Sequence, residues 1–394
     1  MKLSELKNKS ILILGFEREG QDTFKFLKKL FPEKKVGIAD QKFDKNYLQK
    51  LDGYDVIIKT PGIPFKILPK KILGKIITQT EIFFDNCPGT IIGITGTKGK
   101  STTSSMIYQT LKSGGLNVNL IGNIGQPVLS FLNKAKPSSI YVYELSCHQL
   151  YNLKTSPHIA VLLNLYPEHL DYYRNFKEYT QAKANITKFQ TAKDYLIYNS
   201  LDPEVKKIAK TSKAKKVPIS GKYYQLDVAA ANAVAKIFRI PELKKFKFLP
   251  HRLECIGKFK GISFYNDSLS TIPQTAIEAM DFLGNSVQTL ILGGFDRGLD
   301  FKNLAQRIKK SQVKTLILFP TTGQRIWQNM IEVGPQSIKH WFVKDMKTAV
   351  KLAYQHTEKG KICLMSPASP SFGVFKDYAE RGEMFKKFVK KYGK

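Results

Sequence analysis

Short apolar runs alternate with helically spaced apolar positions along most of the chain. Ile11–Leu14 run into Gly15. Phe24, Leu27 and Leu30 then recur at helical spacing, and Val36–Ala39 form a second run ending at Asp40. This predicts a β-α-β unit with an acid at the tip of its second strand. DVIIKTPGIP (Asp55 to Pro64) is a further strand breaking on a Pro/Gly turn, and KIITQTEIFF follows it. The pattern restarts at IIGITGTKGKSTTSSMIYQTLKSGG: apolar strand, glycine loop, a helix opening on Ser/Thr, glycine stop. SSIYVYELS and AVLLNLYPEHLDYY are two more strands with polar tips, at Glu144 and at Asn164, His169 and Asp171. A Lys-rich, poorly patterned stretch from Lys206 to Lys222 separates them from a small-residue helix, DVAAANAVAKIF. The remainder alternates again, through GISFYNDS, QTLILGG, KTLILF and KICLMSPAS with helices between.

Strands alternating with helices predict α/β layers on parallel sheets. The 394 residues suggest two to four domains at roughly 100–200 residues each. Breaks near Cys87–Pro88–Gly89 and at Leu249–Glu254 place three, at 1–88, 89–248 and 249–394. With 42% hydrophobic and 24% charged residues, wholesale disorder and fibrous repeats are excluded. No apolar run approaches the ~18 residues of a membrane span, and the first apolar burst reads as a strand rather than a signal peptide. The cysteines, Cys87, Cys147, Cys255 and Cys363, have no paired spacing, which argues against a disulfide framework and against a zinc site, and for a cytoplasmic protein.

The net charge of +31 would draw polyanions. Lysine supplies almost all of it, however, in scattered positions and pairs, without the arginine forks and aromatic stripes of a nucleic-acid groove.

The candidate chemistry sits at strand tips. Gly15 and Gly20 lack the middle glycine of a dinucleotide fingerprint, but the turn and Asp40 are placed where a nucleotide's phosphate and ribose or base would be met. Thr60, Pro61 and Gly62 lie in a comparable turn. Gly96, Thr97, Gly99, Lys100, Ser101 and Thr102 form a phosphate loop that departs from the strict spacing, which needs glycine at Ile94. Its physics is intact: glycines let backbone N–H groups converge on phosphate, Lys100 adds a charge, and Ser101 can ligate Mg²⁺. Glu144, at the next strand tip, is where a metal carboxylate belongs. His169 is equally readable as ligand or structural residue, and Lys183 as one more solvated lysine. Serial α/β domains, two with nucleotide-type first turns, point to a multi-substrate enzyme.

GITGTKGKSTT, Gly122-Asn-Ile-Gly125, Glu144-Leu-Ser-Cys-His-Gln-Leu150, Asn164 to Asp171, His251-Arg-Leu-Glu254, Asn266-Asp-Ser268, Ser366 to Ser371 and Tyr378-Ala-Glu-Arg-Gly382 resemble, in order, the motifs of the Mur ligases. These are ATP-dependent amide-forming enzymes of peptidoglycan synthesis, and the motifs look most like the glutamate-adding branch. The resemblance implies three domains: Rossmann-like for the UDP-sugar, P-loop ATPase in the centre, and Rossmann-like for the amino acid. It implies a cytoplasmic, monomeric ligase that joins glutamate, D-glutamate favoured, to UDP-N-acetylmuramoyl-L-alanine through an acyl phosphate. It also implies two Mg²⁺ ions held by Ser101, Glu144, His169 and a carbamylated Lys183. By the same resemblance Asn123 serves the substrate and phosphate site, Asn232, Arg252 and Asp267 contact ATP, and Gly15, Asp40, Thr60, Pro61, Gly62 and Ser146 hold the UDP-sugar. Thr271, Arg297, Ser371 and Tyr378 are the glutamate-site candidates.

The chain departs from the family pattern at four places. Val228-Ala-Ala-Ala-Asn232 stands for His-Asn-x-x-Asn, Leu269 for a lysine, Gly293-Gly-Phe-Asp-Arg297 for Gly-Gly-x-x-Lys, and Tyr378 for a phenylalanine. Two other readings remain: a sibling ligase, such as a folylpolyglutamate synthase or one adding L-glutamate, and a basic P-loop NTPase acting on nucleic acid.

Overall fold

The structure, a computed structural model, describes residues 1–169, 172–221, 224–334 and 337–394. Asp171 lies outside the described residues. Met1–Phe246 and Lys247–Lys394 are two compact units.

The first unit carries two parallel sheets. Strands β1 (Ile11–Leu14), β2 (Val36–Ala39), β3 (Val56–Lys59) and β4 (Ile76–Thr78) are ordered β2-β1-β3-β4, with helices α1 (Arg18–Leu30) and α2 (Gln79–Asn86). The second sheet holds β5 (Thr90–Thr95), β6 (Val118–Gly122), β7 (Ile140–Glu144), β8 (Ile159–Leu162), β9 (Tyr195–Asn199) and β10 (Lys215–Ile219), ordered β10-β9-β8-β5-β7-β6. Its helices are α3 (Lys100–Ser113), α4 (Cys147–Leu150), α5 (Phe176–Lys188), α6 (Pro203–Thr211) and α7 (Tyr224–Phe238). β1, β3, β7 and β8 are buried at every position, because helices cover parallel sheets on both faces; this is why they read as unbroken apolar runs. The two sheets share one core. Phe83 on α2 packs edge-on against Tyr141 and Tyr143 of β7, at 5.2 and 5.8 Å, and Thr80 shares a hydrogen bond with the Tyr143 hydroxyl.

The stretch from Lys206 to Lys222, unpatterned in sequence, contains most of α6 and all of β10. α6 buries only Val205 and Ala209 among its lysines, and β10 is an edge strand whose Lys215, Lys216 and Pro218 are exposed. Edge strands carry lysine and proline to prevent further pairing, which masks their alternation.

The second unit is one six-stranded sheet: β11 (Glu254–Phe259), β12 (Ile262–Asn266), β13 (Val287–Gly293), β14 (Thr315–Phe319), β15 (Lys339–Phe342) and β16 (Ile362–Met365). Helices α8 (Pro273–Leu283), α9 (Lys302–Lys309), α10 (Thr322–Glu332), α11 (Met346–His356) and α12 (Tyr378–Gly393) accompany it. The order is β11-β12-β16-β13-β14-β15, and only β11 runs antiparallel to its neighbour. The sheet is therefore mixed rather than wholly parallel. The tips of β12, β16 and β13 are adjacent, so the loops after Asn266, Met365 and Gly293 meet at one edge.

Candidate active site

The phosphate loop joins β5 to α3. Gly99 stands at φ +85°, and a Cβ there would lie 2.9 Å from Asp227 Oδ1, so the position requires glycine on both counts. Asp227, in the first turn of α7, accepts a hydrogen bond from Thr103 on α3 and so backs the loop. Ser101 and Thr102 follow in the first turn of α3. Lys100 is half-buried, with its ammonium turned inward to donate to the carbonyls of Gly96 and Thr97, each at 3.0 Å. Burial of that charged end lowers its pKa, while Glu144 and Glu168 pull it back up.

Lys183, read in sequence as either a solvated lysine or a functional one, is 1% exposed. Its Nζ donates to Gly96 O at 2.9 Å, the same carbonyl that Lys100 holds. Burial first, and the Lys100 charge second, bring its pKa down to about 7. Placing two lysines on one loop carbonyl creates an electropositive floor suited to anions. Thr97 is held by the Tyr179 hydroxyl, at 2.9 Å, and by Tyr166 N. Asn164 at the β8 tip accepts from Lys98 N through its side chain and from Thr97 N through its carbonyl. Lys98 pairs with Glu168 at 2.6 Å. Asp227, Tyr179 and Glu168 were not singled out from sequence. They lie 70 to 124 residues along the chain from the residues they contact, and only packing brings them together.

Glu144 is buried at the β7 tip, and its carbonyl accepts from Asn123 N at 3.3 Å. His169 takes positive φ and lies 3.9 Å from Glu168. Ser101, Glu144 and His169 offer a hydroxyl, a carboxylate and an imidazole, and a carbamate on Lys183 would add two further oxygens. In chemistry these donors, mostly oxygen, suit Mg²⁺. Asn232 on α7 donates to Glu242 at 2.8 Å, and its buried Oδ1 has no hydrogen-bond partner among the described residues; a free acceptor of this kind suits an adenine amine.

A cavity of about 250 Å³ opens between the first two sheets, lined in part by Thr60, Pro61, Gly62, Gly122 and Asn123. Gly15 is part of its construction: a Cβ there would lie 2.1 Å from Thr60 Oγ1. Asp40 accepts from Phe16 N and Lys42 N, fixing the turn between β1 and α1. Ser146 caps α4 through Gln149, which donates to Glu19 on α1 at 2.7 Å. Burial raises Glu19 to about 7 and lowers Lys59, at the tip of β3, to about 8. Neither was a sequence candidate.

In the second unit, Asp267 is buried, accepts from Ser366 Oγ at 2.7 Å and Leu253 N at 3.0 Å, and is raised to about 7 by that burial. Arg252 lies near enough to oppose the rise. Arg297 is exposed, with its guanidinium 5.8 Å over the Phe372 ring. Ser371 is buried, and Phe295 N bonds Pro370 O at 2.8 Å, so the Arg297 and Ser371 loops run side by side. Thr271 follows β12. Tyr378 is exposed at the start of α12, and its carbonyl accepts from Ser268 Oγ at 2.7 Å. Arg381 was quoted within a motif without a role. It is 1% exposed and donates to Ser268 Oγ, Ser268 O and Ser369 O, tying the β12 and β16 loops together.

A phosphate loop with paired inward lysines, a buried strand-tip acid and a neighbouring cavity fit the class of ATP-using ligases. Residues 94–260 match the family model of the Mur ligase middle domain. The chain is 31% identical to UDP-N-acetylmuramoylalanine--D-glutamate ligase of Geobacillus kaustophilus, covering 96% of this chain and 97% of that protein. It is 33% identical to the protein of the same name from Streptococcus agalactiae, covering 97% of each. The chain belongs to this glutamate-adding family of Mur ligases. Among solved structures it resembles MurF ligase from Thermotoga maritima in complex with ADP, at TM-score 0.60, 19% identity and coverage of 89% and 92%. It also resembles E. coli FolC in complex with DHPP and ADP, at TM-score 0.56, 12% identity and coverage of 80% and 92%. These two likenesses concern the fold.

Proposed function

We propose that this chain joins D-glutamate to UDP-N-acetylmuramoyl-L-alanine with ATP, releasing ADP and phosphate. The observation that carries this reading is the meeting of Lys100 and Lys183 on Gly96 O, beside Glu144 and the Asn123 cavity, within a chain whose relatives bear that activity in their names. The alanyl carboxylate attacks the γ-phosphorus of ATP, giving an acyl phosphate and ADP. The glutamate amine then attacks the acyl carbon, and phosphate leaves with the acyl–oxygen electron pair. Both partners of the first step are anions, so cationic screening is the main demand on the site. Lys100 supplies it from the loop. Ser101, Glu144, His169 and carbamylated Lys183 would hold Mg²⁺, two ions in all, which neutralises phosphate charge when bound.

In this reading residues 1–88 take the UDP-sugar, with Gly15, Asp40, Thr60, Pro61, Gly62 and Ser146 at the first turns. Residues 89–248 take ATP, with Asn232 toward adenine, and 249–394 take glutamate. Arg252 and Asp267 are the second unit's candidates for nucleotide contact by the family resemblance. Thr271, Arg297, Ser371 and Tyr378 receive glutamate, and Arg297 supplies the cation missing at Leu269. The working enzyme is a cytoplasmic monomer. Among the described residues no helix is long and apolar enough to cross a membrane.

ADP release with UDP-N-acetylmuramoyl-L-alanine plus D-glutamate, L-glutamate or no amino acid, and separately with folate or nucleic acid, tests the reading. Turnover is expected only with the UDP-sugar and D-glutamate. Stimulation by nucleic acid or folate alone would replace it.

A further inference from the structure

Among the described residues, one group of thiol and imidazole donors converges: Cys147, His148 and His169 each offer a ligand atom, all within 4.8 Å of one another. They come from two places, the start of α4 and the loop after β8, so the isolated cysteines of the sequence did not reveal them. Around one Zn²⁺, with bonds of about 2.0–2.3 Å, ligand atoms sit roughly 3.3–3.8 Å apart. Side-chain rotation covers the difference. Cys147 is buried, while the His169 side chain is 46% exposed and provides the entry path.

The surroundings of His148 complete the case. Its Nδ1 lies 3.1 Å from the Tyr173 hydroxyl, and its ring stacks on Tyr173 with an interplanar angle of 4°. Donation from Nδ1–H to that oxygen is the kind of outer hydrogen bond that fixes the tautomer of a metal-binding histidine. The ring of His169 is 5.0 Å away, centroid to centroid.

We propose that Cys147, His148 and His169 form a three-ligand site for a thiophilic divalent cation, Zn²⁺, separate in chemistry from the oxygen-lined Mg²⁺ site but sharing His169 with it. Thiolate and imidazole select Zn²⁺ over Mg²⁺. Binding releases the Cys147 proton to solvent and forms the metal–sulfur bond, and the fourth position stays open to water or a phosphate oxygen. Since His169 cannot serve two ions, Zn²⁺ inhibits the ligase in the presence of saturating Mg²⁺. That consequence rests on reading His169 as a Mg²⁺ ligand; the Zn²⁺ site itself does not.

The full-length protein titrated with Co²⁺ should bind one ion with a thiolate-to-metal charge-transfer band. Cys147→Ser should abolish the band, His148→Phe should weaken binding at least about tenfold, and Cys255→Ser should change nothing. The first two variants should keep their turnover in Mg²⁺ alone while resisting Zn²⁺ by a similar factor. No band in the wild type, or a band that survives Cys147→Ser, overturns the site. A band lost with Zn²⁺ inhibition unchanged upholds the site and overturns the competition, and with it the assignment of His169 to Mg²⁺.

Discussion

At the scale of single residues, charge placed in low dielectric decides most of the chemistry. Lys100 turns its ammonium onto two loop carbonyls, which a γ-phosphate would replace with a stronger partner. Lys100→Ala is expected to lower kcat on the order of 10³-fold, with UDP-sugar binding measured by calorimetry nearly unchanged. Arg297 is the cation proposed for a glutamate carboxylate, and its exposure beside Phe372 leaves the fork accessible. Arg297→Ala should raise the KM for glutamate by more than about tenfold, since truncating one partner of a charge pair costs 2–5 kcal/mol; the KM for ATP should not move. Lys59 gives a pH prediction. Its folded pKa of about 8 lies below its ordinary 10.5, so between those values the unfolded chain binds more protons and stability rises with pH. The gain is on the order of 3 kcal/mol. Lys59→Met should flatten the slope of unfolding free energy between pH 8 and about 10.5 in chemical denaturation; a slope equal to the wild type's would show that Lys59 titrates normally.

At the scale of elements, helix starts and strand tips hold the loops in register. Gly99 opens α3 in the left-handed region, with Asp227 of α7 directly behind it. Gly99→Ala should therefore cost roughly 1–3 kcal/mol of stability and raise the KM for ATP, because the loop must shift off the α3–α7 contact. Thermal unfolding and initial rates measure both, and a variant with wild-type values would show that the loop accommodates the methyl. The Lys-rich α6 and β10 show the opposite relation. Their few buried side chains are enough to dock them, but too sparse to stand out in the sequence.

At the scale of the whole molecule, a net charge of +31 is carried by a chain whose proposed substrates are all anions. Long-range attraction of this kind raises association rates and is screened beyond about 8–10 Å at physiological salt. The kcat/KM for the UDP-sugar should fall as salt is raised from about 20 to 300 mM, with kcat nearly constant. A salt-independent kcat/KM would mean that the scattered lysines serve solubility alone.

The sequence by itself determined the alternation of strands and helices, the phosphate loop, and the strand-tip position of Glu144, because local patterning and turn chemistry are written in neighbouring residues. It also carried the family resemblance, which depends on motif order. The tertiary structure alone decided which residues meet. Lys183 became a buried partner of the phosphate loop because α5 packs against β5. Asp227 and Arg381 became braces because a helix start and a helix face were brought over loops more than a hundred residues away. Cys147, His148 and His169 became a donor set by the same route, across a strand and two loops. Such contacts depend on how elements stack, and stacking is set by the burial of many side chains at once; no short stretch of sequence records it.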